Sequence, residues 1–220
     1  MRASLADQTG GGATPSLAIA LGANLPSRCG SPIATLIAVR PLLEASVRQW
    51  SQGLRRPGEP AGFRWSPLFE TQPVGGPPGQ PNYVNAVVLV EGASVAFEAT
   101  ADAAEDLLED LQELEQRFGR ERQERWGPRS LDLDLLWWGD LRCHTPRLHL
   151  PHPLWQERDF VLAPLAALAV GHGAVPEATG PGPGGTAIAL AGRTGWPEQL
   201  EAASLTRTAE PPAGPAPHPR

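Results

Sequence analysis

The run Leu17 to Asn24 (LAIALGAN) is short, continuously apolar and closed by glycine and asparagine, which predicts a buried strand entering a turn. The period then changes. Ser31-Pro32 supplies a capping hydroxyl and a proline suited to the first helical position, and Ile33, Leu36, Ile37, Leu43 and Val47 follow at helical spacing, so a helix is expected to run to about Trp50. Residues 51–62 read as a loop from their glycine and proline content, and Phe63 to Thr71 alternates loosely as a second strand. In residues 72–81 four prolines fix φ and remove donors, which predicts a rigid exposed loop. Tyr83 to Glu91 is a third strand, with Val84, Ala86, Val88 and Val90 on one face and Tyr83, Asn85, Val87 and Leu89 on the other. Between residues 95 and 118, Phe97, Ala101, Ala104, Leu107, Leu108, Leu111, Leu114 and Phe118 recur every three or four positions, so a helix is expected that ends at Gly119. A fourth strand is read at Ser130 to Trp138, then a turn at Gly139-Asp140 into a short paired segment near Leu141 to Cys143, an extended stretch at Leu148 to Pro153, and a helix over Arg158 to Ala169.

The order β-α-β-β-α-β predicts an α+β fold, a ferredoxin-like sandwich with C-terminal additions. Residues 1–15 are expected to be a flexible tail, 16–170 the folded domain, and 171–220 a Gly/Pro-rich extension, partly flexible, with a short helix at Glu198 to Leu205. All 18 basic residues are arginine, so the lysine-bearing nucleotide loop GxxxxGK[ST] and Schiff-base chemistry are both excluded. A formal charge of −6 opposes a nucleic-acid backbone as main partner. Two cysteines, Cys29 and Cys143, are too few and too distant in sequence for a disulfide framework, and no apolar run reaches a membrane span, so a soluble cytoplasmic protein is expected.

The chemistry concentrates in residues 119–134, GRERQERWGPRSLDLD. In an extended strand Asp132 and Asp134 share one face while Leu131, Leu133 and Leu135 take the other. Carboxylates within so apolar a strand require a partner such as a divalent cation, whereas on a half-solvated strand they would need none. Upstream, Arg120, Arg122, Arg125 and Arg129 cluster where Gly127-Pro128 breaks the chain into a loop. Guanidinium forks suit phosphate oxygens, although pairing with Glu121 and Glu124 on a solvated surface is the competing account. Together the two groups read as polyphosphate chemistry. His152, between Pro151 and Pro153, and Arg158 form a second polar group, and Asn85, set among valines, must find hydrogen-bond partners if buried. A planar ligand held near aromatic rings would supply them.

RWGPRSLDLDLL resembles the signature of the 6-hydroxymethyl-7,8-dihydropterin pyrophosphokinase family. LGAN, SPLFETQPVGGPPGQPNYVNAVVLVE and LHLPHPLWQERDFVLAPL resemble other segments of that family, so the likeness extends over about residues 17–169. The resemblance implies a ferredoxin-like fold and transfer of pyrophosphate from ATP to a pterin alcohol, with AMP as the leaving group. By the same resemblance Asp132 and Asp134 would hold two Mg²⁺ ions at the ATP phosphates. Arg120 and Arg129 would contact the phosphates, with Arg122 and Trp126 on a closing catalytic loop. Gln112, Glu115, Leu135, His152 and Arg158 would help to bind ATP. Tyr83 and Phe160 would sandwich the pterin, Asn85 would bond its edge, and Thr71, Pro73, Val74 and Gly75 would form its wall. The implied partners are ATP and 6-hydroxymethyl-7,8-dihydropterin, with no nucleic acid or membrane, and the implied state is a monomer. Residues 51–62 are longer than the family's usual link, and His149 stands where a small polar residue is common.

Two other classes fit parts of the pattern. An RNA-binding module on the same sheet would need aromatic and basic residues interleaved on the first and third strands. A metal-dependent phosphodiesterase would need a general base and further metal ligands.

Overall fold

The structure, a computed structural model, describes residues 17–54, 61–92, 99–120, 126–169, 188–189 and 196. The expectations for residues 1–15, for Phe97, for Arg122 and Arg125, and for the helix at 198–205 fall outside the described residues. The protein is α+β, an antiparallel sheet with helices packed on it. Its elements are β1 (Leu17–Ala23), α1 (Pro32–Gly53), β2 (Gly62–Trp65), β3 (Phe69–Thr71), β4 (Tyr83–Glu91), α2 (Ala101–Arg117), β5 (Asp132–Trp138), β6 (Cys143–His144), β7 (His149–Leu150), α3 (Asp159–Ala169) and β8 (Ile188–Ala189). A 3-10 turn, Trp155–Glu157, precedes α3. No described helix is long and apolar enough to cross a membrane.

The main sheet runs β5-β1-β4-β3-β8, with β2 also paired to β4, and β1 lies between β5 and β4, buried along its whole length. An all-apolar β1 is accounted for by cover on both faces. On one face α1 and α2 pack over Leu17, Ile19, Leu21, Val88, Leu133 and Trp138. Within that layer Trp50 meets Trp138 edge-on at 4.8 Å, and its Nε1 donates to Ala103 O at 2.9 Å. Each fully buried leucine of α2, such as Leu107 and Leu111, contributes about 1.5–3 kcal/mol by leaving water. On the other face α3 and the 3-10 turn cover Ala18, Val87, Leu89 and Leu136 through Val161, Leu162, Leu165 and Trp155. That cover stops short of the C-terminal half of β1, where a cleft remains.

Four elements differ from expectation. The second strand is two, because Ser66-Pro67-Leu68 interrupts it. Pro67 has no N–H for the ladder, and Ser66 Oγ accepts from Val87 N at 3.0 Å where a strand carbonyl would otherwise stand. The helix Ala101–Arg117 starts after Thr100, which is extended and whose hydroxyl accepts from Ala103 N as the N-cap, while residues 95–98 of the predicted span lie outside the described residues. Beyond Ala169, a region without clear pattern, residues 188–189 join the edge of β3. The first helix also continues to Gly53, three residues past Trp50.

Within β5 the register slips by one opposite Ala18 and Ile19, leaving Leu136 as an extra residue. Before the slip Asp132 and Asp134 face the cleft while Leu133 and Leu135 enter the helix-covered core; after it Trp138 takes the core face. The bulge lets one strand serve the site at its start and the core at both ends.

Candidate active site

The floor of the cleft is made of small residues. Register places Gly22 opposite Asn85 of β4 on one side and Asp132 of β5 on the other, and Ala20 opposite Asp134. A Cβ on Gly22 would come within 2.8 Å of Asn85 Oδ1, so the amide rests directly above the glycine. Asn85 is buried, and its Nδ2 donates to Thr71 Oγ1 at 2.7 Å. The cavity above this floor measures about 410 Å³.

One end of the cleft is charged. Arg129 Nη1 donates to Asp132 Oδ2 at 2.7 Å. Arg120 Nη1 stands 2.7 Å from Asp132 Oδ1 but outside hydrogen-bonding geometry, so that buried oxygen accepts no hydrogen bond. Arg120 also pairs with Glu115, whose Oε1 accepts from Leu133 N at 2.8 Å behind the strand. Burial pushes the Glu115 carboxyl up to about 7, with Arg120 opposing the shift. Asp134 has a poorer partner, with Arg158 Nη1 3.9 Å away. Desolvation first, and the charge of Asp132 second, raise its carboxyl to about 6. Burial and then the neighbouring Arg158 lower His152 to about 4, so it is neutral near pH 7. Its Nδ1 accepts from Leu154 N at 3.3 Å, which assigns the proton to Nε2.

These donors suit a divalent cation on chemical grounds. Asp134 is held above the ordinary carboxylate range and Asp132 Oδ1 lacks a hydrogen bond, so an added cation would relieve both. Among the described residues no group of three or more His, Cys, Asp and Glu could enclose a metal unaided. Two carboxylates that leave the remaining coordination positions to water and phosphate match the habits of Mg²⁺.

The opposite end is walled by the proline-rich loop. Trp126, with φ of 59°, lays its indole on Gly75, where a Cβ would lie 3.1 Å from Trp126 Cε3. Gln80 Nε2 donates to Gly75 O and to Trp126 O, both at 3.2 Å, and Tyr83 Oη donates to Gly127 O at 3.2 Å. Asn24 joins the same parts from beneath. Arg129 N donates to its Oδ1 at 2.8 Å, and its Nδ2 donates to Pro81 O at 3.1 Å.

Of the residues named from sequence, Arg120, Trp126, Arg129, Asp132, Asp134, His152 and Arg158 line this cavity together with Thr71, Pro73, Val74, Gly75, Tyr83, Asn85 and Phe160. Gln112, Glu115 and Leu135 lie outside its lining, Glu115 and Leu135 being buried at 2% and 3% exposure. Gly22, Gln80 and Asn24 carry structural roles that the sequence reading did not assign. A glycine and an asparagine closing a buried strand were the available signal for two of them; Gln80 had none. The β1 face that an RNA platform would need offers Ala18, Ala20 and Gly22 instead of aromatic rings.

The family model described as 7,8-dihydro-6-hydroxymethylpterin-pyrophosphokinase matches residues 18–170, which contain every cavity-lining residue named above. The chain is similar to the 2-amino-4-hydroxy-6-hydroxymethyldihydropteridine pyrophosphokinase of Synechocystis, 46% identical over 94 residues, 43% of this chain and 44% of that one. Its counterpart by name in Pseudomonas aeruginosa is 46% identical over 104 residues, 47% of this chain and 59% of that one. That of Bacillus subtilis is 41% identical over 103 residues, 47% and 56% of the two chains. The chain thus spans about half the length of the curated relatives it matches.

Proposed function

We propose, on the premise that this chain belongs to the 7,8-dihydro-6-hydroxymethylpterin-pyrophosphokinase family, that it moves pyrophosphate from ATP to the hydroxyl of 6-hydroxymethyl-7,8-dihydropterin in folate biosynthesis. The observation that carries this reading is one cavity with two chemically different ends: arginines and carboxylates at one, a buried amide with aromatic rings at the other. The hydroxymethyl oxygen bonds to the β-phosphorus of ATP and gives up its proton to solvent, the bond from that phosphorus to the α–β bridging oxygen breaks, and AMP leaves with that oxygen.

At the charged end Arg120, Arg129 and Arg158 bind the polyphosphate and neutralise charge as it redistributes. Neutral His152 donates from Nε2 to a phosphate oxygen. Asp132 and Asp134 would hold two Mg²⁺ ions, which when bound neutralise phosphate charge and acidify the attacking hydroxyl. Glu115 acts through Arg120 and through Leu133 N, fixing the guanidinium and the strand between the carboxylates. Gln112 and Leu135 belong to the nucleotide side through the family resemblance. At the other end Asn85, with Thr71 beside it, hydrogen-bonds the pterin edge, and Tyr83 and Phe160 flank the ring. Pro73, Val74 and Gly75 close the wall, and Trp126 and Arg122 belong to the segment that covers the bound substrates.

The strand order supports a ferredoxin-like βαββαβ arrangement in which β2 and β3 are one strand broken at Pro67. We place the protein in the cytoplasm as a monomer; Cys29 and Cys143, both free, fit a reducing compartment. The test is AMP formation from ATP, Mg²⁺ and 6-hydroxymethyl-7,8-dihydropterin. AMP that depends on the pterin is expected; ADP as product, or AMP release indifferent to the pterin, overturns the proposal.

A further inference from the structure

We infer that residues 188–189 and 196, which lie beyond the family-matched region, brace the pterin wall, with Trp196 a positioning residue for the strand that carries Thr71. The inference rests on the proposed pterin site. The family match ends at residue 170, yet residues 188–189 and 196 are packed against the matched domain.

Without β8 the strand β3 would be a sheet edge with unpaired backbone groups. Ile188–Ala189 pairs with it antiparallel, Ala189 opposite Phe69 and Ile188 opposite Glu70. Seven residues after Ala189, Trp196 sets its ring edge-on to Trp65, with centroids 5.3 Å apart and planes at 67°. The Arg40 guanidinium lies 4.9 Å from the centroids of both rings, and the Trp196 Nε1 donates to Ser66 O at 2.8 Å. That carbonyl belongs to the break between β2 and β3. Ser66 N donates to Val87 O and its Oγ accepts from Val87 N, so the serine is pinned to β4, while Pro67 after it has no N–H to offer.

The two contacts therefore grip both sides of the one interruption in the strand, Trp196 at residue 66 and β8 at residues 69–70. The next residue is Thr71, whose hydroxyl holds Asn85, and the wall from Pro73 to Gly75 follows it. Loosening the brace lets β3 shift at its break, which detaches Thr71 from Asn85. Arg120, Arg129, Asp132 and Asp134 lie on β5 or on the chain leading into it, and β1 and β4 separate β5 from β3. The effect should thus fall on the pterin and leave ATP alone.

The experiment uses the full chain carrying Trp196→Ala or Trp196→Phe, with initial-rate kinetics on both substrates and amide exchange of Phe69, Glu70 and Thr71. Trp196→Ala is expected to raise KM for the pterin by about tenfold, and Trp196→Phe, which keeps a ring but loses the N–H, by about threefold. KM for ATP should stay within about twofold, and exchange at residues 69–71 should quicken. An unchanged pterin KM overturns the inference, as does a parallel rise in both KM values with a lower melting temperature, which would mark a purely structural role. Unchanged exchange at residues 69–71 overturns it whatever the activity. If the parent protein forms no pterin-dependent AMP, the functional reading fails by itself, and the exchange comparison still decides the brace.

Discussion

Two carboxylates on one strand face have unequal surroundings. Among the described residues Asp132 is flanked at 2.7 Å by both Arg120 and Arg129, whereas Asp134 pairs with Arg158 at 3.9 Å. The first is thus the more fully neutralised of the two. Replacement Asp134→Asn should cut pterin-dependent AMP formation by about a hundredfold or more, the scale of losing one transition-state electrostatic contact. Its melting temperature should hold or rise slightly, because the carboxylate removed is one the fold disfavours; near-normal turnover would refute the cation assignment. Glu115 gives a pH-dependent prediction. Its folded-state value of about 7 stands above the ordinary 4.5, so the folded protein binds this proton more tightly than the unfolded chain does. The resulting stabilisation is fully present below about pH 4.5 and is lost as pH rises through 7, an effect of up to about 3 kcal/mol. Urea unfolding at pH 5 and pH 8 should show a smaller difference in Glu115→Gln than in the parent, and equal differences would mean that Glu115 titrates normally.

Among the elements, the proline-rich loop and the segment at Trp126 behave as one assembly. Gly76 has φ of 76°, and a Cβ there would collide with the Trp126 carbonyl and the Gln80 amide. A backbone carbonyl cannot move aside as a flexible side chain could, so Gly76→Ala should undock Trp126 from the wall. Strain of about 1–2 kcal/mol at positive φ adds to that. Turnover is expected to fall by about tenfold, with altered tryptophan emission; unchanged rate and emission together would show that this docking is irrelevant to catalysis. Elsewhere, the start of α2 and the break in the second strand show how local rules compete. Apolar spacing favoured a helix from residue 95, but the Thr100 hydroxyl bonded to Ala103 N sets the start at Ala101. Loose alternation favoured one strand over Phe63 to Thr71, but Pro67 within it was the legible warning of a break.

Over the whole molecule, the division of labour between the sheet's two faces makes the site possible. One face is sealed by α1 and α2, and the other is shared between α3 and the cleft, so the same strands anchor a core and present side chains to ligands. Most of that arrangement was legible from short-range pattern: β1 is one unbroken apolar run, and β4, α1 and the strand of Asp132 and Asp134 each repeat a period within a few residues. Which residue types could handle phosphate, cation and a flat ring was likewise legible, because charge, hydrogen-bonding capacity and aromaticity belong to side chains wherever they sit. The sequence by itself therefore determined most of the main elements, the absence of lysine chemistry and the residue types suited to phosphate, cation and ring. Only the tertiary structure decided that Glu115 backs Arg120 from behind the strand, that Asn24 ties Arg129 to Pro81, and that Trp196 reaches Ser66 across 130 positions of chain. Those pairings depend on strand register and helix packing between distant segments. No local period encodes them, since each partner's own neighbours would look the same whether or not the contact formed.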